Sequence, residues 1–143
     1  MLNTIDYLFF INFKISLLSD RVNKKKVILI IDDSSTTLLL LEWSLKQEGY
    51  NTQVAVSVGE ARKIIVKQKP DLILLDLSMP RVSGYDFLKM RPELNIQEIP
   101  VVIVSAYDNS ESIKLVKDLG AAEFIAKPFR IPHILETLNK YLK

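Results

Sequence analysis

Short apolar runs alternating with amphipathic stretches fill the chain from residue 27 onward. VILII (27–31), LILLD (72–76) and VVIVS (101–105) are nearly unbroken aliphatic runs. Each is too short for a helix and apolar on both faces, as a strand covered on two sides must be. Weaker strands are read at YNTQVAVS (50–57) and AEFIA (122–126). Helical spacing fills the intervals: SSTTLLLLEWSLKQEG (34–49), with a serine cap and Gly49 as its stop, VGEARKIIVKQ (58–68), YDFLKMR (85–91), NSESIKLVKDLG (109–120) and IPHILETLNKYLK (131–143). Pro70 and Pro100 close the connections before the third and fourth strands. Five strands in strict alternation with five helices predict an α/β fold, a doubly wound parallel sheet with helices on both faces and right-handed crossovers.

Composition narrows the function classes. The 143 residues, 48% hydrophobic and 25% charged, suit one domain with a real core. A net charge of +2 from 19 basic and 17 acidic residues, with no arginine-rich block, does not indicate nucleic-acid binding. The absence of cysteine excludes disulfides, thiolate metal sites and thiol catalysis. The single histidine, His133, stands near a helix start and reads as a surface or capping residue. No glycine-rich phosphate loop is present.

Residues 1–26 form an N-terminal extension of different character. YLFFINFKISLL (7–18) is apolar but interrupted by Asn12 and Lys14, and Asp6 stands where a signal peptide needs positive charge. Without a continuous apolar run of about 18 residues, no transmembrane segment is expected and the location is expected to be cytoplasmic. The extension stays open between an added amphipathic helix, a membrane-surface or partner-docking arm, and a disordered stretch. NKKK (23–26) reads as a solvated lead-in to the domain.

The chemistry concentrates at the strand ends. The first strand is followed by Asp32 and Asp33, the third ends in Asp76, the fourth in Ser105 and the fifth leads into Lys127. Ligands of open parallel sheets bind outside the carboxyl ends of the strands, where the strand order reverses. Singly, each residue has an ordinary explanation as a cap, a turn residue or a solvated charge; together, at four strand ends, they do not. Three carboxylates brought together either raise their pKa values or hold a cation. Oxygen-only ligation with retained waters suits Mg²⁺ better than Ca²⁺. A carboxylate beside that ion can attack phosphorus, while a lysine and a hydroxyl stabilise the transferred group.

The motifs IDDSS (31–35), LLDLSMPRVSG (74–84), VVIVSAY (101–107) and FIAKPF (124–129), in this order, resemble the receiver domain of two-component response regulators, similar to the single-domain chemotaxis type. The resemblance covers about residues 27–143. It implies a flavodoxin-like sheet of order 2-1-3-4-5, with Asp76 as phosphoacceptor and Mg²⁺ held by Asp33 directly, Asp32 through water, Asp76 and the main-chain carbonyl of Ser78. It further implies that Lys127 and Ser105 stabilise the phosphoryl group, that the Lys127–Pro128 bond is cis, and that Gly84 lets the preceding loop turn. Ser105 and Phe124 would form the switch, altering the surface of the fourth helix, fifth strand and fifth helix, residues 110–142. The donor would be a sensor histidine kinase or a histidine phosphotransfer protein. With no effector domain after the last helix, the expected output is protein binding or phosphoryl relay, and the only expected catalysis is of the chain's own phosphorylation and dephosphorylation.

Some positions depart from commoner versions of this pattern. Ser105 stands where threonine is frequent, keeping the hydroxyl and losing a methyl. Ala106 and Tyr107 lie where the family tunes phosphate lifetime, and Phe124 lacks the phenol of tyrosine. On the first helix, burial of Thr37, Leu40, Leu41, Ser44 and Leu45 would leave Leu38, Leu39 and Trp43 on the outer face, as a partner patch covered by the extension (Leu8 to Leu18) or by a phosphohistidine donor. Two other readings compete. A phosphate-independent adaptor would have little need for Asp32, Asp33, Asp76 and Lys127 together. An aspartate-nucleophile phosphohydrolase of the haloacid dehalogenase type would want an acid two residues after the nucleophile, where this chain has Ser78.

Overall fold

The computed structural model describes residues 3–22 and 24–142. Residues 1, 2, 23 and 143 lie outside that description, and with them the first residues of the extension, the start of its basic stretch and the predicted end of the last helix. Five strands form one parallel sheet in the order β2-β1-β3-β4-β5: β1 (Val27–Ile31), β2 (Asn51–Ala55), β3 (Leu72–Leu75), β4 (Val101–Ser105) and β5 (Glu123–Ala126). Every residue of β1, β3 and β4 is buried. That is why these three read as continuous apolar runs, whereas the edge strand β2 is mostly half-exposed.

Alternation along the strands divides the core between two layers. Leu29, Ile31, Ile73, Leu75, Val101 and Ile103 pack against α3 (Val58–Lys67), α4 (Gly84–Lys89) and α6 (Ser110–Asp118), with Phe87 fully buried among them. Ile28, Ile30, Leu72, Leu74, Val102 and Val104 pack against α2 (Ser35–Gln47) and α7 (Ile131–Tyr141). Helices α2, α3, α4 and α6 begin where side chains cap them. Ser34, Ser57 and Asn109 accept hydrogen bonds from the N–H groups of Thr37, Glu60 and Ser112, and Ser83 forms a reciprocal capping box with Asp86.

Of the alternatives left open for the extension, the helical one is observed, as α1 (Thr4–Val22). One feature departs from the five helices expected after it: the helix over 85–91 breaks at Met90 into α4 and a short α5 (Arg91–Leu94). Pro92 sits in the first turn of α5, where its missing N–H costs nothing, and Asn95 ends that turn at φ 56°.

Candidate functional site

Asp32 and Asp33 follow β1, Asp76 follows β3, Ser105 ends β4 and Lys127 follows β5. Ile31 pairs with Leu75 across the adjacent strands β1 and β3, so Asp32 and Asp76 emerge side by side where the strand order reverses. Ladder bonds fix both backbones: the Asp76 N–H donates to the Ile31 carbonyl at 2.9 Å and the Asp32 N–H to the Ala55 carbonyl at 3.1 Å. One carboxylate oxygen from each of Asp32, Asp33 and Asp76 lies within 4.8 Å of the other two. Asp32 and Asp76 are buried and Asp33 is exposed, giving the cluster a dry floor and a wet mouth.

Lys127 reaches this cluster because β5 pairs Ala126 with Ser105 and the Lys127 N–H donates to the Ser105 carbonyl at 2.9 Å. Its ammonium donates to Asp32 Oδ2 at 2.7 Å and stands 3.9 Å from Asp76 Oδ2. The other Asp32 oxygen accepts from the Ser34 N–H at 2.8 Å, tying the cluster to the start of α2. Burial, and then the neighbouring Asp32 charge, push the Asp76 carboxyl above its ordinary range; Lys127 and a hydrogen bond from the Ser78 N–H pull it back in part. An all-oxygen donor set carrying an electrostatic load that a cation would relieve fits Mg²⁺. Ser78 is exposed next to Leu77 on the same loop.

The remaining expected residues fall around this centre. The Ser105 hydroxyl is fully buried and accepts from the Tyr107 N–H at 3.2 Å. Phe124, on β5, is half-buried against the α3, α4 and α6 layer. The Lys127–Pro128 bond is cis. Gly84 does not make the loop turn as expected: the left-handed residue there is Arg81, at φ 68°. Gly84 is needed for space instead, since a Cβ would meet the Asp76 carbonyl oxygen and lie 2.8 Å from Leu77 Cα. The Gly84 N–H donates to the Leu77 carbonyl at 3.2 Å, so the start of α4 braces the backbone of the Asp76 loop.

The expected surface patch also needs correction. Leu38 is buried with Leu41, Ser44 and Leu45, and Leu40, expected inside, is exposed beside Leu39 and Trp43. The inward seam is therefore 38, 41, 45, spaced three and four apart. Nor does the extension cover this face: Leu39 and Trp43 are 68% and 66% exposed, and Leu8 and Leu18 are exposed as well.

The family model of the response regulator receiver domain matches residues 28–139. The chain belongs to the response regulator receiver family. The receiver is 40% identical over 96 residues to the sporulation initiation phosphotransferase F of Bacillus subtilis, covering 67% of this chain and 77% of that one. It is 31% identical over 99 residues to the polar-differentiation response regulator DivK of Brucella ovis, covering 68% and 80%. Among solved structures it is similar to the chemotaxis protein CheY4 of Vibrio cholerae, with a TM-score of 0.78 at 27% identity, covering 82% of this chain and 99% of that one. Receivers of this family work in two-component signalling, and among the described residues of this one no helix is long and apolar enough to cross a membrane.

Proposed function

We propose that this receiver accepts a phosphoryl group on Asp76, in a Mg²⁺-dependent reaction, from a histidine of a sensor kinase or phosphotransfer protein, and signals by altered protein binding. The observation that carries the proposal is the convergence of Asp32, Asp33 and Asp76 on one edge of the sheet with the Lys127 ammonium against them. An Asp76 oxygen attacks phosphorus while the bond to the donor imidazole nitrogen breaks, and the electron pair stays on the imidazole. Asp33, Asp76 and the Ser78 carbonyl, with Asp32 assisting through water, would hold Mg²⁺, which would supply positive charge against the phosphoryl oxygens. Lys127 moves from Asp32 toward a phosphoryl oxygen, and the Ser105 hydroxyl donates to another. The chain catalyses no other reaction, and its location is that of its donor, the cytoplasm.

The docking side for the donor is the start of α2. Thr36, Thr37, Leu40, Ala106, Pro128 and Phe129 line an apolar hollow beside Lys127, and Leu39 and Trp43 extend it along the helix. Phosphorylation adds about two negative charges, drawing Ser105 in and repositioning Phe124, which alters the α6, β5 and α7 face presented to a downstream protein.

Intact-mass measurement after incubation with acetyl phosphate and Mg²⁺ tests this reading. One phosphoryl group should be gained, and none by Asp76→Asn or in excess chelator. A folded protein that gains none with metal present overturns the phosphoacceptor assignment in favour of a phosphate-independent adaptor.

A further inference from the structure

Helix α1 carries a broad apolar surface, and from Thr4 to Leu18 every residue but Ile11 is exposed. Leu8, Ile15 and Leu18 lie along one face, with Ile11 half-buried between them, and Phe10, Phe13 and Leu17 lie on the opposite face. An exposed apolar surface of this breadth marks an interaction site, and Asp6, Asn12 and Ser16 leave one side of the helix polar enough to stay in water. The charge that follows it is one-signed: Lys24, Lys25 and Lys26 are exposed and lead directly into β1. Together with Gln68, Lys69 and Asp71 they line a hollow at the amino-terminal edge of the sheet, and exposed Lys67 ends the neighbouring α3. Among the described residues, none of these five lysines forms an ion pair.

We propose that α1 and this lysine edge bind the surface of an anionic lipid bilayer. An apolar helix followed at once by a lysine cluster combines burial in the acyl boundary with attraction to headgroup phosphates, the two signals that lasting peripheral attachment needs. Lys14, its ammonium 4.8 Å over the Phe10 ring, has a stem long enough to reach headgroup level once the helix is bound. A second copy of the chain satisfies the observations less well. The seam of Leu8, Ile11, Ile15 and Leu18 is shorter than the three to four heptads a coiled coil sustains, and pairing along it leaves Phe10, Phe13 and Leu17 in water. The arrangement also has a direction. The lysines lie at the amino-terminal edge of the sheet and Asp76 at the opposite edge, so a bilayer-bound receiver presents its phosphoacceptor away from the lipid.

The test is co-sedimentation of the full chain with vesicles of phosphatidylcholine alone or mixed with phosphatidylglycerol, with and without added salt. Binding is expected to the mixed vesicles and to weaken as salt rises. Replacing Lys24, Lys25 and Lys26 together by glutamine should lower the partition coefficient about a hundredfold. Replacing Phe9, Phe10 and Phe13 together by serine should abolish binding while leaving the phosphorylation of Asp76 and the circular dichroism of the domain intact. No binding to mixed vesicles, equal binding to both vesicle types, or a lipid-free dimer that fails to sediment with vesicles overturns the proposal. The vesicle-binding outcomes do not depend on whether Asp76 accepts a phosphoryl group; only the phosphorylation control does.

Discussion

Replacing Lys127 by methionine removes one ammonium and keeps a stem of similar length, so it isolates the charge that faces the acidic cluster. The Asp32 and Asp76 side chains are only 4% and 6% exposed, with the ammonium at 2.7 Å and 3.9 Å respectively. At an effective dielectric of about 20, those distances correspond to gross attractions of about 6 and about 4 kcal/mol. The net loss is smaller, because the lysine also gives back its own desolvation and is itself 22% exposed. Breaking a buried pair from one side costs about 3–5 kcal/mol. Asp76, already raised above its ordinary range, can take up a proton and cap that loss. We therefore expect Lys127→Met to lower stability by about 2–4 kcal/mol in chelator at pH 7, read from urea midpoints. Mg²⁺ should restore more stability to the variant than it adds to the wild type, since it supplies the missing positive charge without competing with Lys127 for Asp32. Equal midpoints for the two proteins in chelator, or an equal response to Mg²⁺, would refute the idea that this ammonium holds the cluster together.

Two further outcomes follow from the same geometry. Asp76→Asn should stabilise the metal-free protein by about 1 kcal/mol at pH 7 after allowing for screening at the open edge. Because an acid whose folded pKa is raised destabilises the fold above that pKa and not below its unfolded value, the gain should fade as pH falls toward the ordinary value of 3.8; a urea series across pH reads it, and a gain that persists in acid would assign the effect to packing. Gly84→Ala should cost about 1–3 kcal/mol, because the new methyl meets backbone of Asp76 and Leu77 rather than a movable side chain. It should also slow the phosphoryl gain on Asp76 in a timed intact-mass assay, and an unchanged urea midpoint would count against that close approach.

The sheet was legible because each central strand is an uninterrupted aliphatic run, introduced by the lysines of 24–26, by Pro70 or by Pro100, and the strand ends carried their polar residues in plain sight. The rotation of α2 was not legible. Leu38, Leu39, Leu40 and Leu41 are consecutive, so several phases bury leucine equally well; only packing on β1 and α7 selects Leu38 over Leu40. The break at Met90 was obscured because Arg91 and Pro92 suit either a helix end or a new helix start. The role of Gly84 was hidden for another reason. A glycine in a loop suggests a positive φ, yet here the turn falls to Arg81 and the glycine answers to a neighbouring backbone remote in dihedral terms. The pairing of Lys127 with Asp32 in preference to Asp76 is a matter of about an ångström, below what the order of motifs can specify.

Asp32 and Lys127 are 95 residues apart in the chain and meet only because β1 and β5 belong to one finished sheet. No fragment of this sheet holds both the acids and their ammonium, so the chemical site and the completed topology come into being in the same event. On the proposed phosphoacceptor reading, a nascent or damaged chain whose sheet is incomplete would therefore be mute in a signalling network: unable to draw phosphoryl groups from a shared donor and unable to report a false signal.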